Sequence, residues 1–282
     1  MPDTKAVTWR AALVQMTSGL DPAECAHALT QQIKAAGENG ASFVSTPEMS
    51  NILPANRKQA FALAQREEDD VVLKAVREAA RQAQCWVHIG SLCLKGEDKW
   101  LLNRSFMIDP SGAIVTRYDK IHMFDVDLGG GESYRESALY KAGSHAMVLE
   151  TPLAAFGLSI CYDLRFPGLY ETLALAGAQI LLVPAAFTQP TGEAHWETLL
   201  KARAIETGCF VMAAGQTGTH ESGRKTHGHT MLIDPWGRQI AALERAPGAL
   251  YCDMDMTLIG AAREKIPSLQ HRKPFELMRV TL

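Results

Sequence analysis

Cys161 occupies a position in the sequence where a reactive thiol is typically held. It ends an apolar run, residues 156–160, that predicts a strand, and polar and turn-forming residues follow before a helix predicted at residues 168–176. A side chain at such a strand-to-helix corner stands clear of the sheet, and the N–H groups after it can face a ligand. Because a thiol is mostly protonated at neutral pH, a nucleophilic cysteine also needs a base or a positive field.

Two other predicted strand ends carry residues that could activate this thiol. Histidine is the usual base, but none of the nine histidines sits in a recognisable nucleophile–base pattern, and His122, at a strand exit, comes closest. A carboxylate is the alternative. Glu48 directly follows the run at residues 43–47, and Lys120 follows the run at residues 115–119. If these strands lie together, Glu48, Lys120 and Cys161 converge at one edge of the sheet.

This trio is chemically sufficient to hydrolyse an amide through a thioester. Glu48, with a pKa raised by burial, would take the proton of the thiol, and the thiolate would attack the amide carbonyl. Lys120, kept charged by the nearby carboxylates, would stabilise the oxyanion together with the N–H of Tyr162. Glu48 would then protonate the leaving ammonia and later deprotonate the water that cleaves the thioester.

The surrounding pattern predicts one α/β domain over residues 1–282, with mixed sheets and helices outside them. Residues 109–112 and 234–237 both have an Asp-Pro-x-Gly sequence between strand-like runs, which predicts two similar hairpins in two related halves. The polar, glycine-rich segment 121–143 is predicted to be a long functional loop. The C-terminal residues 262–282 lack a second core, and we expect them to pack on a partner subunit.

Helices and strands are predicted from caps and periodicity. Asp21, Pro22 and Glu24 are typical of a helix start. The other predicted helices cover residues 69–84 and 194–206. The remaining predicted strands are at residues 7–15, 41–46, 86–94, 105–108, 113–118, 147–150, 179–183 and 209–214.

Composition and charge narrow the class of protein. The 282 residues are 47% hydrophobic and 21% charged, which is typical of a globular chain with a substantial core. The net charge of −3 and the lack of a basic block argue against nucleic acid as a partner. We expect no membrane association and a cytoplasmic location, since no apolar run reaches roughly 18–20 residues and no signal-peptide pattern is present. The six cysteines are dispersed, which favours reduced thiols.

Three motifs resemble those of the nitrilase superfamily of carbon–nitrogen hydrolases. They are Pro-Glu at residues 47–48, Tyr-Asp-Lys-Ile-His at residues 118–122 and Cys-Tyr-Asp-Leu-Arg-Phe-Pro at residues 161–167. The resemblance extends along essentially the whole chain. It implies a four-layer α-β-β-α sandwich, a catalytic triad of Glu48, Lys120 and Cys161, and no metal or other cofactor. It also implies a homodimer or higher homo-oligomer that pairs across the helix after the cysteine.

Within that superfamily the chain is similar to the amidase branch called Nit. The similar stretches are residues 120–127, 191–197 and 228–237. The resemblance implies hydrolysis of a carboxylate-bearing omega-amide, and residues 270–274 favour deaminated glutathione, the substrate of a metabolite-repair reaction. Alpha-ketoglutaramate and an N-carbamoyl amino acid are the alternative substrates. A non-catalytic binding or scaffold protein of the same fold is a more distant alternative.

The resemblance also implies further site residues. A second glutamate after the lysine would orient the lysine and the substrate amide, and Glu136 fits this role, with nearby Glu132 as the alternative. Arg165 would bind a carboxylate of the substrate, although pairing with a nearby acidic residue is the alternative. Phe187 and Thr191, together with the residue after the cysteine, would line the substrate pocket.

Other conspicuous residues receive structural interpretations. His227 and His229 have no third ligand at a suitable spacing, so hydrogen bonding is favoured over metal binding. His195 is expected to pack and to support the site from a distance. The Gly-Gly-Gly run at residues 129–131 lacks the Gly-Lys-Ser/Thr of a phosphate loop and indicates flexibility near the pocket. The five cysteines other than Cys161 are expected to be small buried hydrophobic residues.

Overall fold

The computed structural model describes residues 8–129 and 132–281, which form sixteen strands, six α-helices and two 3-10 helices. The strands are β1 (Thr8–Gln15), β2 (Ala41–Ser45), β3 (Trp86–Lys95), β4 (Leu101–Ile108), β5 (Ile114–Asp119), β6 (Asp125–Gly129), β7 (Glu132–Arg135), β8 (Met147–Glu150), β9 (Ala155–Leu158), β10 (Ile180–Leu182), β11 (Phe210–Ala213), β12 (Thr217–Thr219), β13 (Lys225–His227), β14 (Met231–Ile233), β15 (Gln239–Ala242) and β16 (Gly248–Asp255). The helices are α1 (Pro22–Glu38), α2 (Arg57–Leu63), α3 (Val71–Ala83), α4 (Pro167–Leu175), α5 (Gln189–Thr207) and α6 (Thr257–Lys265), and the 3-10 helices are Glu136–Ala138 and Cys161–Arg165.

Two six-stranded mixed sheets dominate the fold. The first has the order β16-β1-β2-β3-β4-β5, and the second has the order β15-β14-β11-β10-β9-β8. In each sheet three neighbouring strands are parallel, namely β1 to β3 and β9 to β11, and an antiparallel hairpin follows. This repeated plan agrees with the two related halves that the sequence predicts.

The four layers are held together by three apolar contacts. The two sheets face each other through aromatic side chains: the Phe43 and Phe156 rings are stacked 4.6 Å apart, and Trp9 lies edge-on to both. The other face of the first sheet buries α1 and α3, and the other face of the second sheet buries α4 and α5. The predicted α-β-β-α sandwich is therefore confirmed.

Local sequence signals explain where the helices begin. The Asp21 carboxylate accepts a hydrogen bond from the N–H of Ala23, and Pro22 opens α1 as predicted. The Asp70 carboxylate caps α3 through the N–H of Leu73 in the same way. Helix α5 begins at Gln189, five residues before the predicted start, because Pro190 fits the first turn of a helix.

Both predicted hairpins form, and their turns have the same geometry. Asp109 and Asp234 each accept hydrogen bonds from the N–H groups two and four residues later in the chain. Gly112 and Gly237 each have a positive φ, +82° and +84°, which glycine adopts without strain. The first turn joins β4 to β5 and the second joins β14 to β15, at equivalent places in the two sheets.

The segment predicted as a long loop is more ordered than expected. It contains the antiparallel pair β6–β7, followed by a 3-10 helix that starts at Glu136. Gly130 and Gly131, in the predicted flexible run, lie outside the described residues. Within the described ranges, no helix is both long enough and apolar enough to cross a membrane. The predicted C-terminal tail begins inside α6, and residues 266–281 form neither helix nor strand.

Candidate active site

The three predicted site residues meet between the two sheets. Glu48 follows β2 and Lys120 follows β5 in the first sheet, whereas Cys161 follows β9 in the second. The prediction that they meet at one edge of one sheet was wrong, because the ends of both sheets contribute. The side chains are almost fully buried, with exposed fractions of 3% for Glu48, 2% for Lys120 and 7% for Cys161.

Lys120 is the centre of a compact ionic cluster. Its Nζ lies 2.9 Å from Oε1 of Glu48 and 2.9 Å from Oε2 of Glu136. Asn103, in β4, donates from Nδ2 to both carboxylates, at 2.8 Å to Glu48 and 3.1 Å to Glu136. The backbone of Asn103 also accepts the N–H of Lys120, which fixes the lysine where β5 ends. The sequence therefore predicted the contact between Glu136 and Lys120 but missed Asn103.

Cys161 is held in an unusual backbone conformation beside Glu48. Its φ is +49°, in the left-handed region that non-glycine residues rarely adopt, and such strain is often found at functional sites. Its N–H donates to the carbonyl of Pro184 at 2.9 Å. The thiol lies beside the Glu48 carboxylate and the backbone of Ala186, and both act on its pKa. The N–H of Ala186 also donates to Oε2 of Glu48 at 2.8 Å, so Glu48 and the thiol share one neighbouring peptide.

Burial and these contacts determine the protonation states. Burial raises the pKa of the Cys161 thiol well above its ordinary value, and the charge of Glu48 raises it further. Burial also acts to raise the pKa of Glu48, but the charge and hydrogen bond of Lys120 help to hold that pKa below its ordinary value. Burial opposes the charge on Lys120, yet Glu136 and Glu48 raise its pKa. The predicted increase in the Glu48 pKa was wrong, and the resting site contains a neutral thiol between ionised neighbours.

A bulge in β3 fixes the turn that carries Glu48. The N–H of Ser91 donates to the carbonyl of Pro47, and its Oγ accepts the N–H of Met49 at 2.9 Å. Gly90 must be a glycine here, since a Cβ would lie 2.1 Å from the carbonyl oxygen of Thr46. The strand thereby approaches the Glu48 turn more closely than any larger residue allows.

Asp163 fixes the turn that carries Cys161. Its buried carboxylate accepts the hydroxyl of Tyr118 at 2.6 Å, the N–H of Ile160 at 2.8 Å and the N–H of His122 at 3.0 Å. Nδ1 of His122 lies 2.7 Å from the same carboxylate. His122, considered in the sequence as a possible base, is therefore engaged by Asp163. This network ties the end of β5 to the start of the cysteine turn.

The cluster opens into a cavity of about 310 Å³. Tyr162, Phe187 and Thr191, the predicted pocket residues, all line it together with Cys161. The N–H of Tyr162 lies in the first turn of the 3-10 helix, where N–H groups have no acceptor within the helix. It is therefore suited to face a developing oxyanion beside the sulfur.

Arg165 is placed beside the cavity wall and supports it. Its guanidinium carbon lies 5.9 Å from the centre of the Tyr162 ring and 5.5 Å from that of Phe187. Its Nη2 lies 3.3 Å from Nδ1 of His195. The predicted contact between Arg165 and a substrate carboxylate is not supported by this geometry, because Arg165 holds two wall residues from outside the lining.

Three arginines that the sequence did not predict as site residues line the cavity. They are Arg57, at the start of α2, Arg135, at the end of β7, and Arg224, just before β13. Arg57 and Arg135 are exposed and donate to backbone carbonyls, whereas Arg224 is half-buried. Each belongs to a loop or to the end of an element, and no short motif marks it. Positive charge around the cavity favours an anionic substrate.

The predicted structural histidines stack on each other. The rings of His227 and His229 are 4.0 Å apart and nearly parallel. In the described part of the chain, no group of three or more His, Cys, Asp or Glu side chains is arranged to hold a metal ion. All six cysteines are free thiols, and only Cys252 is not buried.

Comparison with known proteins identifies the family. The sequence pattern of the carbon-nitrogen hydrolase family matches residues 10–264. The chain therefore belongs to the carbon-nitrogen hydrolases of the nitrilase superfamily, as its motifs predicted. The site described above thus lies in a hydrolase of carbon–nitrogen bonds, and the expected enzyme class is confirmed.

Three similar proteins illustrate this relationship. A protein from Yersinia enterocolitica named deaminated glutathione amidase is 42% identical, over 93% of this chain and 92% of its own length. The NitFhit protein of Caenorhabditis elegans superposes with a TM-score of 0.90 at 36% identity, and the match covers 96% of this chain and 66% of that one. A variant of the amidase from Nesterenkonia sp. AN1, described with acrylamide added to its active-site cysteine, has a TM-score of 0.77 at 25% identity, covering 92% and 98% of the two chains.

Proposed function

We propose that this protein is a cysteine amidase whose first candidate substrate is deaminated glutathione. The observation that carries the proposal is the buried convergence of Cys161, Glu48 and Lys120 on one cavity, with Nζ of Lys120 2.9 Å from the Glu48 carboxylate. The relative named deaminated glutathione amidase, 42% identical over most of both chains, supports the choice of substrate. The arginines around the cavity favour a substrate that carries carboxylates.

Acylation of Cys161 is the first half of the proposed reaction. Because the thiol is neutral and Glu48 is ionised at rest, Glu48 takes the thiol proton as the sulfur attacks the carbonyl carbon. The Lys120 ammonium and the N–H of Tyr162 stabilise the oxyanion. The carbon–nitrogen bond then breaks, and protonated Glu48 gives its proton to the leaving nitrogen. A thioester remains on Cys161.

Hydrolysis of the thioester completes the proposed cycle. Glu48, ionised again, takes a proton from a water molecule as that water attacks the thioester carbonyl. The carbon–sulfur bond breaks, the acid is released and the proton returns to the sulfur. Glu136 acts as a positioning residue, because its carboxylate holds Lys120 and also accepts the N–H of Phe124 at 2.7 Å.

The candidate substrate determines the products. The amide of deaminated glutathione joins an oxo acid to the amine of cysteinylglycine, so its cleavage gives 2-oxoglutarate and that dipeptide. Ammonia, the leaving group expected from the sequence, is released only from a primary amide such as alpha-ketoglutaramate. Both reactions form 2-oxoglutarate, and ammonia therefore distinguishes them.

The decisive experiment compares three substrates with matched cysteine variants. We expect 2-oxoglutarate from deaminated glutathione with a higher kcat/KM than from alpha-ketoglutaramate, and little turnover of an N-carbamoyl amino acid. Cys161→Ala should lower kcat/KM by roughly 10⁴-fold or more, because the nucleophile is lost. Cys252→Ala, which removes a half-buried thiol outside the site, is the control and should retain activity.

Each outcome separates one hypothesis from another. Turnover that survives in Cys161→Ala would contradict the thioester mechanism. A wild-type protein that hydrolyses none of the three substrates would favour the scaffold alternative. Ammonia release from alpha-ketoglutaramate as the faster reaction would instead identify an omega-amidase.

The proposal extends to the assembly and the location of the protein. Four apolar side chains of the C-terminal tail are highly exposed, with fractions of 92% for Phe275, 87% for Leu277, 85% for Met278 and 76% for Val280. This exposure supports the proposal that the tail packs on a second copy of the chain. The resemblance separately implies that two copies pair across α4, the helix after the cysteine. The free cysteines support the proposed cytoplasmic location, where thiols stay reduced.

A further inference from the structure

Arg224 lines two adjoining cavities. One is the cavity of about 310 Å³ that contains Cys161, and the other is an outer pocket of about 430 Å³. Tyr134 and Arg224 line both and so form the boundary between them. The rest of the outer pocket is formed by Gln189, Pro190, Glu193, Gly223 and Lys225.

The guanidinium of Arg224 is only partly satisfied by the protein. Nη2 donates to the carbonyl of Ala186 at 2.6 Å, and the guanidinium carbon lies 5.2 Å from the centre of the Tyr134 ring. Nε is buried and has no hydrogen-bond partner among the described residues. Because Nε has almost no exposed surface, a ligand would reach the guanidinium at Nη1, for which the described residues provide no acceptor. An anionic ligand would supply that acceptor.

The charges of the outer pocket favour an anion. Arg224 and Lys225 contribute two positive charges, and Glu193 contributes the one negative charge. Oε1 of Glu193 already lies 2.8 Å from Arg245 and accepts a hydrogen bond from Gln189. The paired carboxylate leaves the two cations available, so a small carboxylate is the chemical group that this pocket fits best.

The outer pocket is also in the right place relative to the thiol. The N–H of Ala186 contacts Glu48 and Cys161, while the carbonyl of the same residue accepts the hydrogen bond from Arg224. Ala186 alone therefore separates the reacting sulfur from Arg224 at the boundary between the two cavities. In a thioester mechanism the acyl part stays on the sulfur, and the amine part must leave past the cavity wall.

We propose that the outer pocket is the subsite for the amine part of the substrate. It binds a peptide-like amine that ends in a carboxylate, and Arg224, assisted by Lys225, holds that carboxylate. This inference rests on the proposed amidase function and defines its substrate class as secondary amides with an acidic amine part. Arg224 is then a specificity-determining residue, and a primary amide leaves this subsite empty.

The test combines variants of the protein with a change in the substrate. Deaminated glutathione is compared with its C-terminal amide, which lacks the carboxylate, using wild type, Arg224→Gln and Lys225→Gln. We expect Arg224→Gln to lower kcat/KM for the carboxylate form roughly 10–100-fold, the range for a hydrogen bond to a charged group. Lys225→Gln should cause a smaller loss of roughly threefold. The control is Lys34→Gln, an exposed lysine of α1 whose removal should alter neither reaction.

The amide form separates recognition from a structural role. If Arg224 binds the carboxylate, the wild-type kcat/KM should already be lower for the amide form than for the carboxylate form. Arg224→Gln should then lower kcat/KM for the amide form only slightly. Equal losses on both forms would overturn the proposal, because they would show that Arg224 only holds the carbonyl of Ala186. If Arg224→Gln fails to fold, Lys225→Gln still tests the subsite, because Lys225 is exposed and its replacement should not disturb folding.

Binding measurements keep the subsite separate from the proposed reaction. Both ligands are titrated into Cys161→Ala, with and without Arg224→Gln, by calorimetry. If wild type has no turnover but the carboxylate form still binds more tightly in an Arg224-dependent way, the substrate assignment fails and the subsite stands. Equal binding of the two forms, or no binding of either, overturns the subsite.

Discussion

The buried ionic cluster and the outer wall of the cavity are built on opposite principles. In the cluster, Lys120 contacts two carboxylates directly, and Asn103 holds both of those carboxylates in place. In the wall, Arg57 is exposed and donates to one backbone carbonyl. Among the described residues, Arg224 donates from Nη2 to the carbonyl of Ala186 and leaves Nη1 without an acceptor. In the cluster every charged group is paired, although Oδ1 of Asn103 is buried without a hydrogen-bond partner among the described residues, whereas the wall leaves cationic donors for a ligand.

This difference separates chemistry from selectivity. The cluster lies at the ends of β2, β5 and the cysteine turn, where sheet hydrogen bonds and the carboxylate of Asp163 hold each backbone. The wall comes from loops and short elements, which can vary without moving the sheets. We therefore expect substitutions in the cluster to affect every substrate, and substitutions in the wall to affect substrates unequally.

The largest effect is expected from Lys120→Gln. The change leaves two buried carboxylates without their shared cation, and breaking such a buried pair costs about 3–5 kcal/mol of unfolding free energy. It also removes an oxyanion donor, so kcat/KM should fall by roughly 10²–10³-fold or more for each substrate. Denaturant unfolding and steady-state kinetics measure the two losses.

Lys141→Gln is the matched control for this variant. Lys141 is exposed, and surface changes of this kind usually alter stability by about 0.5 kcal/mol or less. If Lys120→Gln were as stable and as active as the control, the cluster would not be the ionic centre that its geometry indicates. A loss confined to one substrate would equally contradict the division between cluster and wall.

The sequence predicted the cluster because its signals are local. A charged residue directly after an apolar run marks a strand end, and this signal found Glu48 and Lys120. The Asp-Pro-x-Gly turns and the Asp21 cap are likewise determined by a few adjacent residues. The position of the cluster between two sheets could not be predicted from local signals, because it depends on which distant strands pair with each other.

The missed residues depend on contacts between distant parts of the chain. Asn103 lies within an apolar strand and looks like an ordinary polar position, although it bridges two carboxylates. Gly90 matters only because the Thr46 carbonyl approaches it. Arg224 lines the cavity because its loop returns across Ala186. The pKa of Glu48 likewise depends on a distant contact, because Lys120 lowers it against the opposing effect of burial.

An intermediate test concerns the thiol itself. Since the charge of Glu48 contributes to the raised pKa of Cys161, Glu48→Gln should lower that pKa toward its ordinary value. The thiolate then forms at lower pH, although turnover is lost with the base. Thiolate absorbance is titrated in wild type and in Glu48→Gln, and the Cys161→Ala signal is subtracted. An unchanged or higher thiol pKa in Glu48→Gln would contradict the electrostatic account of the cluster.

The smallest effect is expected at the exposed part of the wall. Arg57→Gln removes a cation that lines the cavity, but its guanidinium is in water and donates to the carbonyl of Ala138. The charge of Arg57 should therefore act by attracting an anionic substrate at long range, an effect that salt screens. We expect kcat/KM to fall roughly threefold at low salt and to recover at high salt.

Arg224→Gln provides the contrast, since its loss should persist at high salt because the guanidinium is partly buried beside the bound carboxylate. Kinetics of both variants over a salt series measure the difference. If Arg57→Gln and Arg224→Gln responded to salt in the same way, the wall would attract anions without binding them. The distinction between a surface charge and a subsite within this wall would then have to be abandoned.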